Sequence, residues 1–365
     1  YKKLSGVWIM AYTNIDDPSA YFTTTLWTGA GGSPRAITND ANSGDFQPDF
    51  IWTKGRNEAY EHQLYDSSRG AGTTKGLTSN DTNAEGHYSA TYGYMSAINS
   101  NGFTGTAGTS GQNAYFDTNA KTYVAWQWKC NGGTTSSNTV GTITSTVQAN
   151  TDAGFSIYTY TGTGAAGTVG HGLGGLPEMI ILKGRNTTSD WPVYIDPQKD
   201  GSLQFPKLNG TEANIGNSPF TWDTTKFTFS SGSGYSNTSG TNYIAYAFRS
   251  IQGYSKIGSY VGNGNANGTF VYTGFKPAMV ITKKISDTGN WTIYDNKRDP
   301  FNVADTVLLP NATNADQTVI NFDFVSNGFK CRNSGSENAS STTYFYMAFA
   351  ENPFVTSTGI PTTAR

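Results

Sequence analysis

PEMIILKGRNTTSDWPVY, residues 177–194, returns with its spacing intact as PDFIWTKGRNEAYEHQLY at 48–65 and PAMVITKKISDTGNWTIY at 277–294. In each stretch Lys follows Pro by six positions and Tyr follows Lys by eleven: Pro48, Lys54, Tyr65, then Pro177, Lys183, Tyr194, then Pro277, Lys283, Tyr294. Chance does not hold two intervals through three copies with an apolar run between Pro and Lys each time. The chain therefore reads as one module of about a hundred residues used three times.

Working outward, each copy opens on an aromatic residue before a Gly-x-Gly turn: Trp27-Gly29-Gly31, Tyr160-Gly162-Gly164 and Tyr260-Gly262-Gly264. Each closes on an aromatic run, Tyr123–Trp128, Tyr243–Phe248 and Tyr344–Phe349. Between them a leucine precedes an Asn-x-Thr triplet, at Leu77 and Asn80, Leu208 and Asn209, and Leu309 and Asn311. Late in each copy Phe103, Phe227 or Phe329 begins a further strand-like segment.

No window of 11 to 18 residues places apolar side chains at helical spacing, whereas KFTFSS and GTFVYTGF alternate with the period of two that half-buried strands show. With 43 Gly, 14 % aromatic and 14 % charged residues, the composition is that of an all-β extracellular or virion-type protein. The reading is all-β, three tandem β-sandwich domains of jelly-roll or lectin-like type. Their spans are an N-terminal segment 1–17, repeats at 18–130, 153–250 and 255–354, a Thr/Ser/Gly-rich linker or arm at 131–152, and a tail 355–365. Each repeat is long enough for a core of its own. The short joint 251–254 predicts that copies two and three pack together, with copy one tied more loosely. In copy two the predicted strands lie near 155–161, 167–171, 179–184, 192–195, 203–207, 219–222, 226–230 and 243–249. The ITSTV core of the arm has strand propensity and is expected to add an edge strand or to be exchanged with a neighbouring subunit. Residues 1–9 read as an upstream extension or a start-site misassignment ahead of Met10-Ala11-Tyr12.

A net charge of −2, with no Lys/Arg cluster among aromatics, gives no basis for nucleic-acid binding. Apolar runs of about five residues exclude a membrane-spanning helix. Two cysteines, Cys130 and Cys331, form no disulfide framework.

Longer strings carry a resemblance. MAYTNIDDPSAYF (10–22), YTGTGAAGTVGHGLGGLPEMIILKGR (160–185), GYSKIGSYVGNG (253–264), FVYTGF with its Pro277, and NASSTTYFYMAFAENPF (338–354) resemble a family of uncharacterised structural proteins of tailed bacteriophages, particularly marine ones. The resemblance implies a virion protein of concanavalin-A-like β-sandwich fold in tail fibres or other surface appendages. It carries no catalytic residues.

Recurring residues are best assigned to the fold, so specific function is sought where the copies differ. Lys54, Lys183 and Lys283 recur ahead of Asp66, Asp196 and Asp295, as strand-end ion pairs or a polar site present three times. Trp191 and Trp291, where copy one has His62, are core residues or aromatic platforms for a sugar. In HYSATYGYM (87–95), a strand would show Tyr88, Tyr92 and Tyr94 on one face, as packing or as a sugar- or protein-binding row. His62, His87 and His171 have no metal-ligand spacing, no catalytic residue is predicted, and neither metal nor cofactor is expected. Asp16 and Asp17 attract a hard cation in the weak sense that clustered carboxylates do. The function expected is a non-enzymatic structural subunit of a virion surface or extracellular appendage, whose partners are itself, other virion proteins and host surface glycans. The alternatives are a lectin-like receptor-binding module and, behind it, a tailspike-type enzyme that depolymerises glycans.

Overall fold

The computed structural model describes residues 2–4, 7–9, 11–39, 46–196, 205–213, 215, 220–230 and 234–362. It is built almost wholly from antiparallel strands. In copy one the closing strand Thr122–Trp128 lies between the opening strand Phe22–Thr28 and the proline-initiated strand Phe50–Gly55, with Gln63–Asp66 at the edge. Copy two repeats this order with Phe155–Thr161, Asn242–Phe248, Met179–Gly184 and Val193–Ile195, and copy three with Ser255–Val261, Thr343–Pro353, Phe275–Lys284 and Trp291–Asp295. A second sheet covers one face of each: Arg35–Thr38, Gly102–Thr106 and Tyr94–Asn99; then Gly167–Gly170, Lys226–Phe229 and Phe220–Trp222; then Phe270–Tyr272, Gly328–Cys331, Gln317–Val325 and Ala304–Val307. Most strands anticipated in copy two are present within a residue or two; the segment 203–207 is described from Phe205, which bridges Ile215.

The proline-initiated strands are buried at every position in copies one and two. Alternate side chains of one strand serve two different cores. Phe50 and Trp52 face a central cluster and Ile51 an outer one; Met179 and Ile181 face the centre, Ile180 and Leu182 outward; Met279 and Ile281 the centre, Val280 outward. That is why these segments read as continuous apolar runs rather than alternating ones.

The central cluster draws on all three copies. Each copy also keeps an outer cluster of its own, but the looser tie expected for copy one does not describe this packing: it enters the central cluster as deeply as the others. Repeat-equivalent rings mark the pseudo-threefold centre. Trp128, Phe248 and Phe349 meet edge to face at centroid distances of 6.4, 5.6 and 6.1 Å, each pair tilted by 64 to 69°. Such aromatic pairs contribute about 0.5–1.5 kcal/mol each beyond area burial.

The opening turn shows why its glycines recur. A Cβ on Gly29, Gly162 or Gly262 would stand 1.9, 2.3 or 2.3 Å from the carbonyl oxygen of Thr118, Thr238 or Ala339. Gly31, Gly164 and Gly264 have φ of +76, +76 and +66°. This close approach stacks Trp27 on Tyr123, Tyr160 on Tyr243 and Tyr260 on Tyr344 at 5.1 to 5.2 Å.

The arm is folded back on its own chain, Ser145–Asn150 pairing with Phe155–Thr161 and Ser136–Asn138 adding outside it. Near the chain ends, Lys2–Leu4 pairs with Val7–Ile9. Asp16 accepts hydrogen bonds from Ser357 while Asp17 caps the short 3-10 turn Pro18–Ala20, so the two carboxylates serve separate partners. Among the described residues no group of three or more candidate ligands converges on a metal position, and no helix is long and apolar enough to cross a membrane.

The recurring lysines do not pair with the recurring aspartates. Their ammonium groups are buried and donate to main-chain carbonyls: Lys54 to Gly55 and Glu58, Lys183 to Ser189 and to Thr82 of copy one, Lys283 to Gly289 and to Thr211 of copy two. Burial lowers Lys54 to about 7 and Lys183 and Lys283 to about 8. Between roughly pH 8 and 10 the unfolded chain holds these three protons and the folded chain has released them, so stability rises with pH across that window. The buried thiols of Cys130 and Cys331, pushed up by burial, oppose this only above their ordinary value near 9. We expect a higher thermal midpoint at pH 9 than at pH 7.5 in a calorimetric scan. Lys54→Met should narrow the gap, and an equal or lower midpoint at pH 9 would refute the assignment.

Candidate functional site

Most of the repeated polar and aromatic residues are consumed by a ring of contacts between copies. Trp191 Nε1 of copy two donates to the Thr78 carbonyl of copy one at 2.9 Å, and Trp291 Nε1 of copy three to the Lys207 carbonyl of copy two at 2.8 Å. His62 Nε2 of copy one closes the circle on the Leu309 carbonyl of copy three at 2.9 Å. Trp52 Nε1 donates to His62 Nδ1 at 2.8 Å, which fixes the neutral tautomer with its proton on Nε2; burial holds the ring's pKa well below the usual histidine range. The three accepting carbonyls each lie two residues before Asn80, Asn209 or Asn311. Those asparagines accept from the main-chain N–H of His62, Trp191 and Trp291. They brace the interface, a firmer reason for recurrence than a turn. Trp191 and Trp291 are fully buried, so neither offers a ring face to a sugar, and the carbohydrate-binding assignment is corrected for both. His171 is likewise engaged, at the Asp223 carbonyl and the Leu173 N–H.

The tyrosine segment of copy one is also corrected in form. Ser89–Tyr92 is a single helical turn, Gly93 follows it at φ +126°, and a strand begins only at Tyr94. Tyr88, Tyr92 and Tyr94 are therefore not displayed in one strand row. Gly93, a breaker inside the supposed strand, was the sequence signal against it.

The turn instead delivers Tyr92 to tyrosines from elsewhere. Tyr115 lies between Tyr60 and Tyr92 at ring distances of 6.3 and 6.4 Å, both edge to face. Tyr92 is 41 % exposed, Tyr60, Tyr88 and Tyr94 are half-buried, and Tyr115 is buried. Tyr60 is held because its ring packs on Gly55, where a Cβ would stand 2.8 Å from it. Copies two and three carry Ser189 and Gly289 in place of Tyr60. Glu61 and Asp81 border the patch. Burial raises Glu61 above the ordinary carboxylate range although its carboxylate accepts from Asn80, and burial together with Glu61 and Asp81 raises the Tyr88 phenol.

Tyr60 also forms one wall of a cleft of about 390 Å³, with Gly31, Gly32, Gln112, Asn113 and Asn119. Asn113 is 7 % exposed; its amide donates to the Gly32 carbonyl at 3.2 Å, while its Oδ1 has no hydrogen-bond partner. Asp117, at the same cleft, is satisfied by the N–H groups of Ala30 and Gly32 and by Arg35. Adjacent rings, an unpaired amide oxygen and a concave polar wall are the elements that bind a hydroxylated ligand.

A family described as a domain of unknown function (DUF7483) matches residues 17–353. The chain belongs to that family. The DUF7483 match spans all three copies, and with them the interface ring, the tyrosine patch and the cleft. No curated protein and no solved structure matches the chain. Within this DUF7483 chain, Tyr60, Asn113 and Tyr115 escaped the sequence reading because they come from two segments distant from the tyrosine run 88–94. Tyr60 was open to discovery as a departure from the repeat.

Proposed function

We propose that this protein is a non-enzymatic structural subunit of a virion surface or extracellular appendage that assembles with copies of itself and other virion proteins, and that binds host surface glycans through copy one. The observation that carries the reading is the contrast between copies. The repeated residues join the three copies at one core, while an exposed aromatic patch beside a polar cleft stands where copy one departs from the repeat. Pyranose rings offer an apolar face to Tyr92 and Tyr60 and hydroxyls to the polar cleft wall that Asn113 shares with Gln112 and Asn119. Glu61 and Asp81 disfavour polyanionic chains, so neutral host polysaccharides are the better candidates.

Calorimetric titration of neutral host polysaccharide into the protein should show saturable binding. Tyr92→Ala and Asn113→Ala should each weaken it by roughly tenfold, the effect of losing one ring contact or one buried hydrogen bond. Absence of binding to every host glycan would leave a purely structural subunit, in which case purified protein assembles or docks on particles without sugar. Shortening of the polysaccharide during the titration would overturn the non-enzymatic reading.

A further inference from the structure

Copy three carries a second departure, unrelated to the tyrosine patch. In each copy the opening aromatic residue hydrogen-bonds one main-chain carbonyl: Trp27 Nε1 that of Phe116, Tyr160 Oη that of Ser236, and Tyr260 Oη that of Glu337, at 2.6, 2.7 and 2.8 Å. Phe116, Ser236 and Glu337 are thus equivalent positions. Phe116 is fully buried and fills the outer core of copy one. Glu337 puts a carboxyl group at the equivalent place in copy three, where a cleft of about 210 Å³ opens between the inner sheet and the strands Ala304–Val307 and Gln317–Val325.

Glu337 is 7 % exposed, and its Oε2 has no hydrogen-bond partner. A carboxylate buried this far is stable only when a donor, best a charged one, reaches it. Burial raises it to about 7. Its own main chain, Thr292 and the charge of Lys284 oppose that rise; Lys284, at the same cleft, also pairs with Asp287 at 3.6 Å. The remaining walls are mixed: the hydroxyls of Thr282 and Thr292, whose oxygens are 2.6 Å apart, and the amides of Asn290 and Gln317, beside Val307, Leu309 and Val319.

We propose that this cleft binds an amino sugar, its protonated amine at the Glu337 carboxylate and its hydroxyls on the threonine and amide walls. The ammonium supplies the charge-assisted donor the carboxylate lacks. A volume near that of one pyranose ring, with polar and apolar walls together, suits a hydroxylated ring, which presents both an apolar face and hydroxyls, better than a linear alkylamine, which presents no hydroxyl. The site is independent of the copy-one cleft and stands whether or not that cleft binds glycan.

The test is an NMR titration of the full chain with glucosamine, glucose, N-acetylglucosamine and n-butylamine. Glucosamine should shift resonances of Thr282 and Thr292, and not those of Tyr60 or Tyr92, with affinity roughly tenfold or more above the other three, the share of a charge-assisted bond. Glu337→Gln, checked for folding by near-UV circular dichroism, should abolish that preference. Should Glu337→Gln not fold, Thr292→Val is expected to weaken glucosamine by several-fold. Equal binding of glucose and glucosamine, equal binding of butylamine, or shifts confined to copy one would each overturn the proposal.

Discussion

Arg298→Gln is expected to lower unfolding free energy by about 3–5 kcal/mol in urea, the loss typical of stranding one partner of a buried ion pair. Arg298 and Asp295 have fully buried side chains and pair at 2.6 Å, and Arg298 also reaches Asp316 at 3.1 Å. Across the interface, Arg56 of copy one pairs with Asp316 at 2.8 Å and Trp126 Nε1 donates to Asp295 at 3.1 Å. The same network joins copies one and two: Arg69 pairs with Asp66 and Glu85, Arg185 with Glu85, and Tyr246 Oη donates to Asp66.

Between copies two and three, all four equivalent positions have changed together. Ile285 stands for Arg56 and Arg185, Met347 for Trp126 and Tyr246, and the sequence has Gln198 and Asn214 in place of the second arginine and the bridging carboxylate. Ile285 and Met347 are buried in the central core, while Gln198 and Asn214 lie outside the described residues. The molecule thus contains a buried charge network and its less polar replacement at equivalent interfaces. Replacing a whole network by apolar side chains is often neutral, whereas breaking one is not. Combining Arg298→Gln with Arg56→Ile, Asp316→Asn and Trp126→Met should therefore recover most of the stability lost by Arg298→Gln alone. If each added substitution destabilises further, the interfaces are not interchangeable in this sense.

Trp191→Ala should lower stability by about 3–5 kcal/mol, the range for truncating a buried tryptophan. The more telling expectation is where the loss appears. Trp191 belongs to copy two, but its ring lies in the shared cluster and its Nε1 holds copy one at Thr78. The substitution should shift unfolding of all three copies equally, followed by tryptophan fluorescence from Trp52 and Trp126 in copy one and Trp291 in copy three. A loss confined to copy two would mean that the copies fold separately.

Much of the β architecture was legible in the sequence because each repeat keeps its turn chemistry. The Gly-x-Gly openings mark positions where a side chain would collide with a carbonyl or where φ is positive, and the closing aromatic runs became the middle strands of the inner sheets. The common core was not legible. An apolar run such as MIILK is the same whether its second face meets a covering sheet of its own copy or a neighbouring copy, and local periodicity carries no information about which. The coupled changes at 56/185/285 and 126/246/347 were a sequence trace of the interfaces, but they gain meaning only once the ring of copies is known.

The candidate site was legible in part. Copy one's tyrosine-rich segment was the right region, and Tyr92 is its exposed ring, yet the strand geometry failed at Gly93 and the partners Tyr60, Asn113 and Tyr115 came from elsewhere. Trp191 and Trp291 misled because a recurring ring is equally what a sugar site and an interface need. Burial and the donor direction of Nε1 decide between them.

Native-state hydrogen exchange under increasing urea, read separately on Phe50–Gly55, Met179–Gly184 and Phe275–Lys284, tests most directly whether three repeats share one core. A shared core predicts that the slowest amides of all three strands exchange through one global opening, with the same free energy and the same urea dependence. Three distinct free energies, each with a urea dependence near one third of the whole, would contradict it.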